Sequence, residues 1–162
     1  MAYTAGQKLR ASDLNVPILH MYQTATQSLT NVLWTPITMN AEFRDSLGGH
    51  STGVNPSRYT PNRAGYYQLF GQVAFDVNAA GDRGAQFRKN GTQIDQAAYG
   101  VYRAPSTPAF FGASTCSAII QCNGTTDYIE LWGIQNSGGA LSTAYVSGFS
   151  CSYVIGSWLG SA

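Results

Sequence analysis

The chain of 162 residues carries 9 Lys or Arg and 8 Asp or Glu, a formal charge of +1, which supplies no field to draw it to nucleic acid or to an anionic membrane. It holds 18 glycines and 10 tyrosines, has only 10% charged residues, and shows no long amphipathic helical period, so an all-β sandwich or barrel around one core is predicted. No run of ~18 apolar residues is present to span a bilayer, and the opening MAYTAGQKLRASDLN lacks the apolar stretch of a secretory signal.

Residues 1–25 read as an N-terminal arm or adaptor, with one domain over 26–162. Ser12 offers an N-cap for a short turn that Pro17 soon interrupts. Leu9, Leu14, Ile18 and Leu19 form an apolar set suited to docking on a neighbouring protein. A first strand is expected around Leu33 to Phe43, with Pro36 placing part of it at an edge or bulge. Arg44 to Gly65 is dense in Gly, Pro, Asn and Ser and reads as loop with short strand pieces.

The most strand-like run follows, RYTPNRAGYYQLFGQVAFDV. Tyr67, Leu69, Gly71, Val73, Phe75 and Val77 form one unbroken apolar face. The other face holds Tyr66, Gln68, Phe70, Gln72, Ala74 and Asp76. A half-buried strand alternates apolar with polar, yet Tyr66 and Phe70 put two aromatics on the second face. Either this strand is covered twice, by its own core and by something else, or the pair are cross-strand partners on an exposed sheet face.

Beyond it, NAAGDRG is a turn, and AQFRKNGTQI is a hairpin with Asn90 and Gly91 at its tip. QAAYGVYRAPSTPAFFG is a longer connection. ASTCSAIIQC is a strand, followed by a second Asn-Gly turn at Asn123 and Gly124 and the run TDYIELWGI. QNSGGALS is a loop, and AYVSGFSCSYVIGSW closes the chain. Eight to ten short strands result, the number a two-sheet antiparallel jelly-roll sandwich needs.

Cys116 and Cys122 fall on one face of one strand, roughly 20 Å apart and out of bonding reach. Cys151 falls on an apolar face with Phe149, Tyr153 and Ile155. Three buried thiols are the plain reading, with a bridge from Cys151 to either partner as the alternative. From Ala104 onward the only charged side chains are Asp127 and Glu130. A solvated surface keeps more charge than that, so a subunit interface is expected there.

Four motifs in order resemble the globular head of complement component one-q, whose jelly roll is shared with tumour necrosis factor ligands. They are Gly65-Tyr66-Tyr67-Gln68-Leu69, Lys89-Asn90-Gly91, the run CNGTTDYIELW, and Val146-Ser147-Gly148-Phe149. Leu69 and Val146 stand where that family carries phenylalanine. The similarity spans roughly Trp34 to Ile155. It implies a homotrimer about a threefold axis, with Tyr66 and Phe70 at the trimer interface. The opening YTAGQKLRASDLN resembles arms of structural proteins in phages of actinobacteria. That implies a virion protein made in the bacterial cytoplasm and docked through its arm to a capsid or tail protein, as a capsid decoration, head fibre or minor tail protein.

No catalytic residue is assigned. His20 and His50 are the only side chains with an ordinary pKa near neutrality, and neither sits in a nucleophile or zinc motif. Asp127 and Glu130 have odd spacing, which would place them on opposite faces of a strand. Asp76 and Asp82 flank a turn and read as solvated residues with Arg83 nearby; calcium between them, which the resemblance to the complement head implies for some of its members, is the alternative, and no other metal or cofactor is expected. The sequons at Asn90 and Asn123 read as Asn-Gly turns first. Tyr99, Tyr102, Arg103, Phe110 and Phe111 lie in the longest loop region and are the candidate contacts to a host-surface glycan or protein; packing beneath that loop is the competing reading. A cellular or secreted ligand-binding protein resembling the complement head is the remaining alternative to a virion role.

Overall fold

The computed structural model describes residues 16–94, 99–104 and 110–161. In chain order the strands are β1 (Ile18–Tyr22), β2 (Ser28–Leu29), β3 (Thr35–Pro36), β4 (Ala41–Asp45), β5 (Arg58–Tyr59), β6 (Gly65–Phe75) and β7 (Asp82–Lys89). There follow β8 (Thr92–Gln93), β9 (Gly100–Arg103), β10 (Gly112–Cys122), β11 (Ile129–Gln135), β12 (Leu141–Ser142) and β13 (Tyr153–Gly160). No helix occurs among the described residues.

Two antiparallel sheets make a jelly-roll sandwich. One has the order β10-β6-β13-β1-β4; the other runs β3-β11-β7-β8, with β5 on β11 and β9 on β7. The alternation along β6 builds the core as its residues dictate. Tyr67, Leu69, Val73 and Phe75 are buried, and meet Phe87, Ile129 and Leu131 of the opposite sheet in one apolar cluster. Gly71 belongs to that inward face because nothing larger fits. A Cβ there would come within 2.7 Å of Leu131 and 2.8 Å of Phe87.

Asn90 and Gly91 make the two-residue hairpin between β7 and β8, with φ of 53° and 76°. Both central residues of a type I′ turn need positive φ, which Asn and Gly tolerate best. Asn123 and Gly124 do not make a second hairpin. β10 lies in the five-stranded sheet and β11 in the other, so this turn carries the chain between sheets. The Asn123 carboxamide oxygen accepts from the amides of Thr125, Thr126 and Asp127, a local turn whose chemistry says nothing about sheet pairing.

The end of the segment expected over 1–25 to be an arm belongs to the sandwich. Ile18–Tyr22 is an inner strand, hydrogen-bonded to β13 on one side and β4 on the other. Leu19 and Met21 are core residues, so Leu19 is corrected from a docking residue to a packing one, while Ile18 points outward. Leu9 and Leu14 lie outside the described residues. The strand expected over Leu33 to Phe43 is split into β3 and β4, with Ile37 and Met39 fully buried between them. The closing strand begins only at Tyr153. Val146 and Phe149 bridge across a tight turn before it, so Cys151 is buried with Ala74 and Ala144 rather than sharing a face with Phe149 and Ile155. All three cysteines are free thiols.

Candidate functional site

The two sheets present different outward surfaces. On the five-stranded sheet, register puts Ser117, Phe70, Ile155 and His20 in one row across β10, β6, β13 and β1. The next row is Ile119, Gln68, Ser157 and Ile18. Tyr66, Phe70, Ile119, Ile155, Leu159 and Ile18 are all exposed, and the outward positions of these four strands hold no Asp, Glu, Lys or Arg. Across this face runs a groove of about 510 Å³ between Ile18, Phe43, Phe70 and Ile155. Contiguous apolar surface of this kind on a soluble protein marks an interaction face.

His20 stands inside that face. A register shift in β4 makes Phe43 an extra residue opposite β1, and its ring lies 5.6 Å from the imidazole. Tyr22 is 5.8 Å away and Tyr153 6.2 Å. Nε2 of His20 is buried and meets no hydrogen-bonding partner among the described residues. Burial holds the imidazole below the ordinary histidine pKa, because the apolar rings disfavour the cation. Sequence reading found Tyr66 and Phe70 here but missed His20, Phe43, Ile119 and Ile155, whose shared row exists only through pairing.

The sheet β3-β11-β7-β8, with β5 and β9, is the outer sheet of the proposed assembly and is built of planes and charges instead. The Arg88 guanidinium lies 4.0 Å from the Trp132 ring centre and 5.7 Å from that of Trp34, within reach of cation–π attraction. Tyr99 meets Trp34 edge to face at 5.7 Å. Glu130, nearly buried, accepts from Ser57 Oγ, Arg58 Nε and Trp132 Nε1 at 3.1–3.2 Å. A carboxylate so fully engaged is a structural anchor. Asp127 precedes β11 and pairs with Lys89 Nζ at 2.8 Å; burial, the largest single influence, pushes its carboxyl up, but Lys89 and the Asn90 and Asn123 hydrogen bonds together outweigh it and hold it below the usual range. His50 is buried between Glu42 Oε1 (2.7 Å) and the Pro56 carbonyl (3.1 Å), also a packing arrangement. No cluster of three metal-ligating side chains occurs among the described residues.

The five loop candidates separate. Tyr99 and Arg103 stand on the outer sheet, where Arg103 and Asp82 form a two-pronged ion pair at 2.9 and 3.2 Å. Tyr102 turns the other way and packs over Gly112. Phe110 is 80% exposed, and Phe111 lines a hollow with Gln72, Val146 and Phe149 at the end of the five-stranded sheet. They are therefore not one contact surface.

No protein-family model matches this sequence, and no curated protein matches it. Solved structures do. Murine APRIL at pH 5.0 superposes with a TM-score of 0.65 at 13% identity, over 90% of this chain and 100% of that one. Murine APRIL at pH 8.0 gives 0.64 at 11%. Eiger TNF from S. frugiperda gives 0.61 at 9%, over 91% of this chain and 94% of that one. The fold is the tumour necrosis factor jelly roll. At these identities the likeness is one of fold, and what the outward faces do must be argued from the faces themselves.

Proposed function

We propose that this protein is a non-enzymatic structural component of a virion, assembled as a homotrimer through the outward face of its five-stranded sheet. The observation that carries the reading is the uncharged patch of Phe70, Ile155, Ile18 and Ile119, from two neighbouring rows, left open by the fold on one protomer. Covering Phe- and Ile-sized side chains yields about 1.5–3 kcal/mol each, and three copies of one patch meet around an axis without leaving an open edge. The tumour necrosis factor fold and the motifs resembling the complement head support three copies. The opening YTAGQKLRASDLN supports the phage setting, with a capsid or tail protein as docking partner and the virion as location. β1 begins at Ile18, so the docking arm is confined to the residues before it.

Light scattering after gel filtration tests the assembly. A mass near three times 17.3 kDa is expected, and a single-protomer mass would sink the trimer. Removing residues 1–15 should abolish attachment to particles while the threefold stoichiometry persists.

A second reading, recognition of a host-surface molecule by the same particle, is favoured by the outer sheet. Trp34, Tyr99, Arg88 and Trp132 give it an aromatic and cationic surface that the assembly face does not use.

A further inference from the structure

One depression on the outer sheet differs from the rest of that surface. It measures about 210 Å³ and lies where Gly84 of β7 sits beside Ile134 of β11. Gly84 lets Ile134 and Tyr99 close over the floor. A Cβ there would stand 2.8 Å from Ile134 Cγ2 and 3.0 Å from the Tyr99 hydroxyl. Tyr99 and Val101 form one wall, 55% and 58% exposed, and Val32 forms the other. The Asp82 carboxylate closes one end, in its two-pronged pair with Arg103, and Asn136 stands beside it, its Oδ1 accepting from the Asp82 amide.

Val32 is the second, independent observation. It has φ of +56°, a conformation costly for a β-branched residue, and it is 65% exposed, so burial does not compensate. Its amide donates to the Gln135 carbonyl at 2.7 Å, which fixes the strained turn over the lip of the hollow. Strain held at an exposed position that packing does not require is characteristic of ligand-binding sites.

We propose that this hollow binds one neutral pyranose ring of a surface glycan, a specification that rests on the recognition reading above. The volume lies below the range of about 300–1,000 Å³ typical of drug-sized ligands and suits a single ring. An aromatic wall over an apolar floor takes the C–H face of a sugar, while a carboxylate–guanidinium fork and an amide at one end take adjacent hydroxyls. Asp82 is paired with Arg103 at the rim, and the guanidinium of the lining residue Arg83 is turned onto the Asn78, Ala80 and Asp82 carbonyls, so no unpaired charge faces the hollow and an uncharged sugar is selected over a phosphate or an acidic one.

The test uses the intact protein on a glycan array, with methyl glycosides of glucose, galactose, mannose, rhamnose and N-acetylglucosamine as soluble competitors. Tyr99→Ala removes the wall, and Val101→Lys obstructs the rim from an exposed position that the core does not feel. Retention of a neutral glycan, displaced by one of these glycosides and weakened about 10-fold or more in both variants at unchanged oligomer mass, is the expected result. Retention undiminished in both variants overturns this site and leaves a recognition role standing elsewhere on the protein. Retention of no glycan, or only of acidic ones, overturns the proposal; the trimer is judged separately by mass.

Discussion

Phe70 on β6 is the direct cross-strand partner of Ile155 on β13, and both side chains stand on the outward face of the five-stranded sheet, turned away from the core. The ring of Tyr153 lies 6.2 Å from that of Phe70 on the same face. Exchanging Phe70 for aspartate therefore places a carboxylate among the uncharged outward groups of β10, β6 and β13, with Arg44 at the far end of the row on β4. The protomer tolerates this, because Phe70 already meets solvent when alone. Phe70→Asp should keep its β-rich circular dichroism and fall from threefold to single-chain mass by light scattering. Retention of full mass would remove Phe70 from the interface.

His20 makes the same face sensitive to acid. Arg44 is its register partner on β4, Tyr22, Tyr145 and Tyr153 are the other titratable side chains around it, and neither flanking hollow is lined by a carboxylate. Its pKa in the folded state is lowered, so between the ordinary histidine value and that lowered one the unfolded chain binds more protons. Stability contributed by the neutral ring is complete above pH about 6.5 and is lost as pH falls through the folded value. The thermal midpoint of the wild type should drop across that window, and His20→Gln should flatten the drop. An equal drop in both proteins would assign it to other groups.

Gly71→Ala should destabilise the fold by about 1–3 kcal/mol, the usual cost of an added methyl in a packed core. The atoms it meets belong to Leu131 and Phe87, which are fully buried and have no room to retreat. Urea denaturation reads this as a lower midpoint at unchanged slope. An unchanged midpoint would mean that the sandwich is looser between β6 and β11 than its geometry shows.

The thiols should be silent until the protein unfolds. Burial raises the Cys116 pKa to about 12 and that of Cys122 to about 11, and only the thiolate is nucleophilic. Cys151 is equally buried. Ellman's reagent at pH 8 should titrate no thiol in the native protein and all three in guanidinium. Rapid native labelling of even one would contradict the packing of its strand.

Much of this fold is legible from local chemistry. The alternation from Tyr66 to Phe75 sets which residues of β6 face the core, the Asn90-Gly91 pair demands its hairpin, and Cys116 and Cys122 fall on one buried face. Each follows from a period or a dihedral preference confined to neighbouring residues. Asn123-Gly124 shows the limit: it carries the same dihedral signal, yet the strand after it joins the other sheet, because a turn fixes a local reversal and not a distant partner. Ile18–Tyr22 shows it again. Five residues after a proline contain no evidence of the two strands that bracket them, and only their pairing makes Leu19 a core residue and Ile18 and His20 members of an outward row. The sequence by itself determined the jelly-roll class and the inward face of its central strand. The tertiary structure alone decided that Phe70, Ile155 and His20 share a face, and that Val32, Gly84 and Tyr99 enclose a hollow, since residues so far apart in the chain are brought together by sheet register, which no local preference encodes.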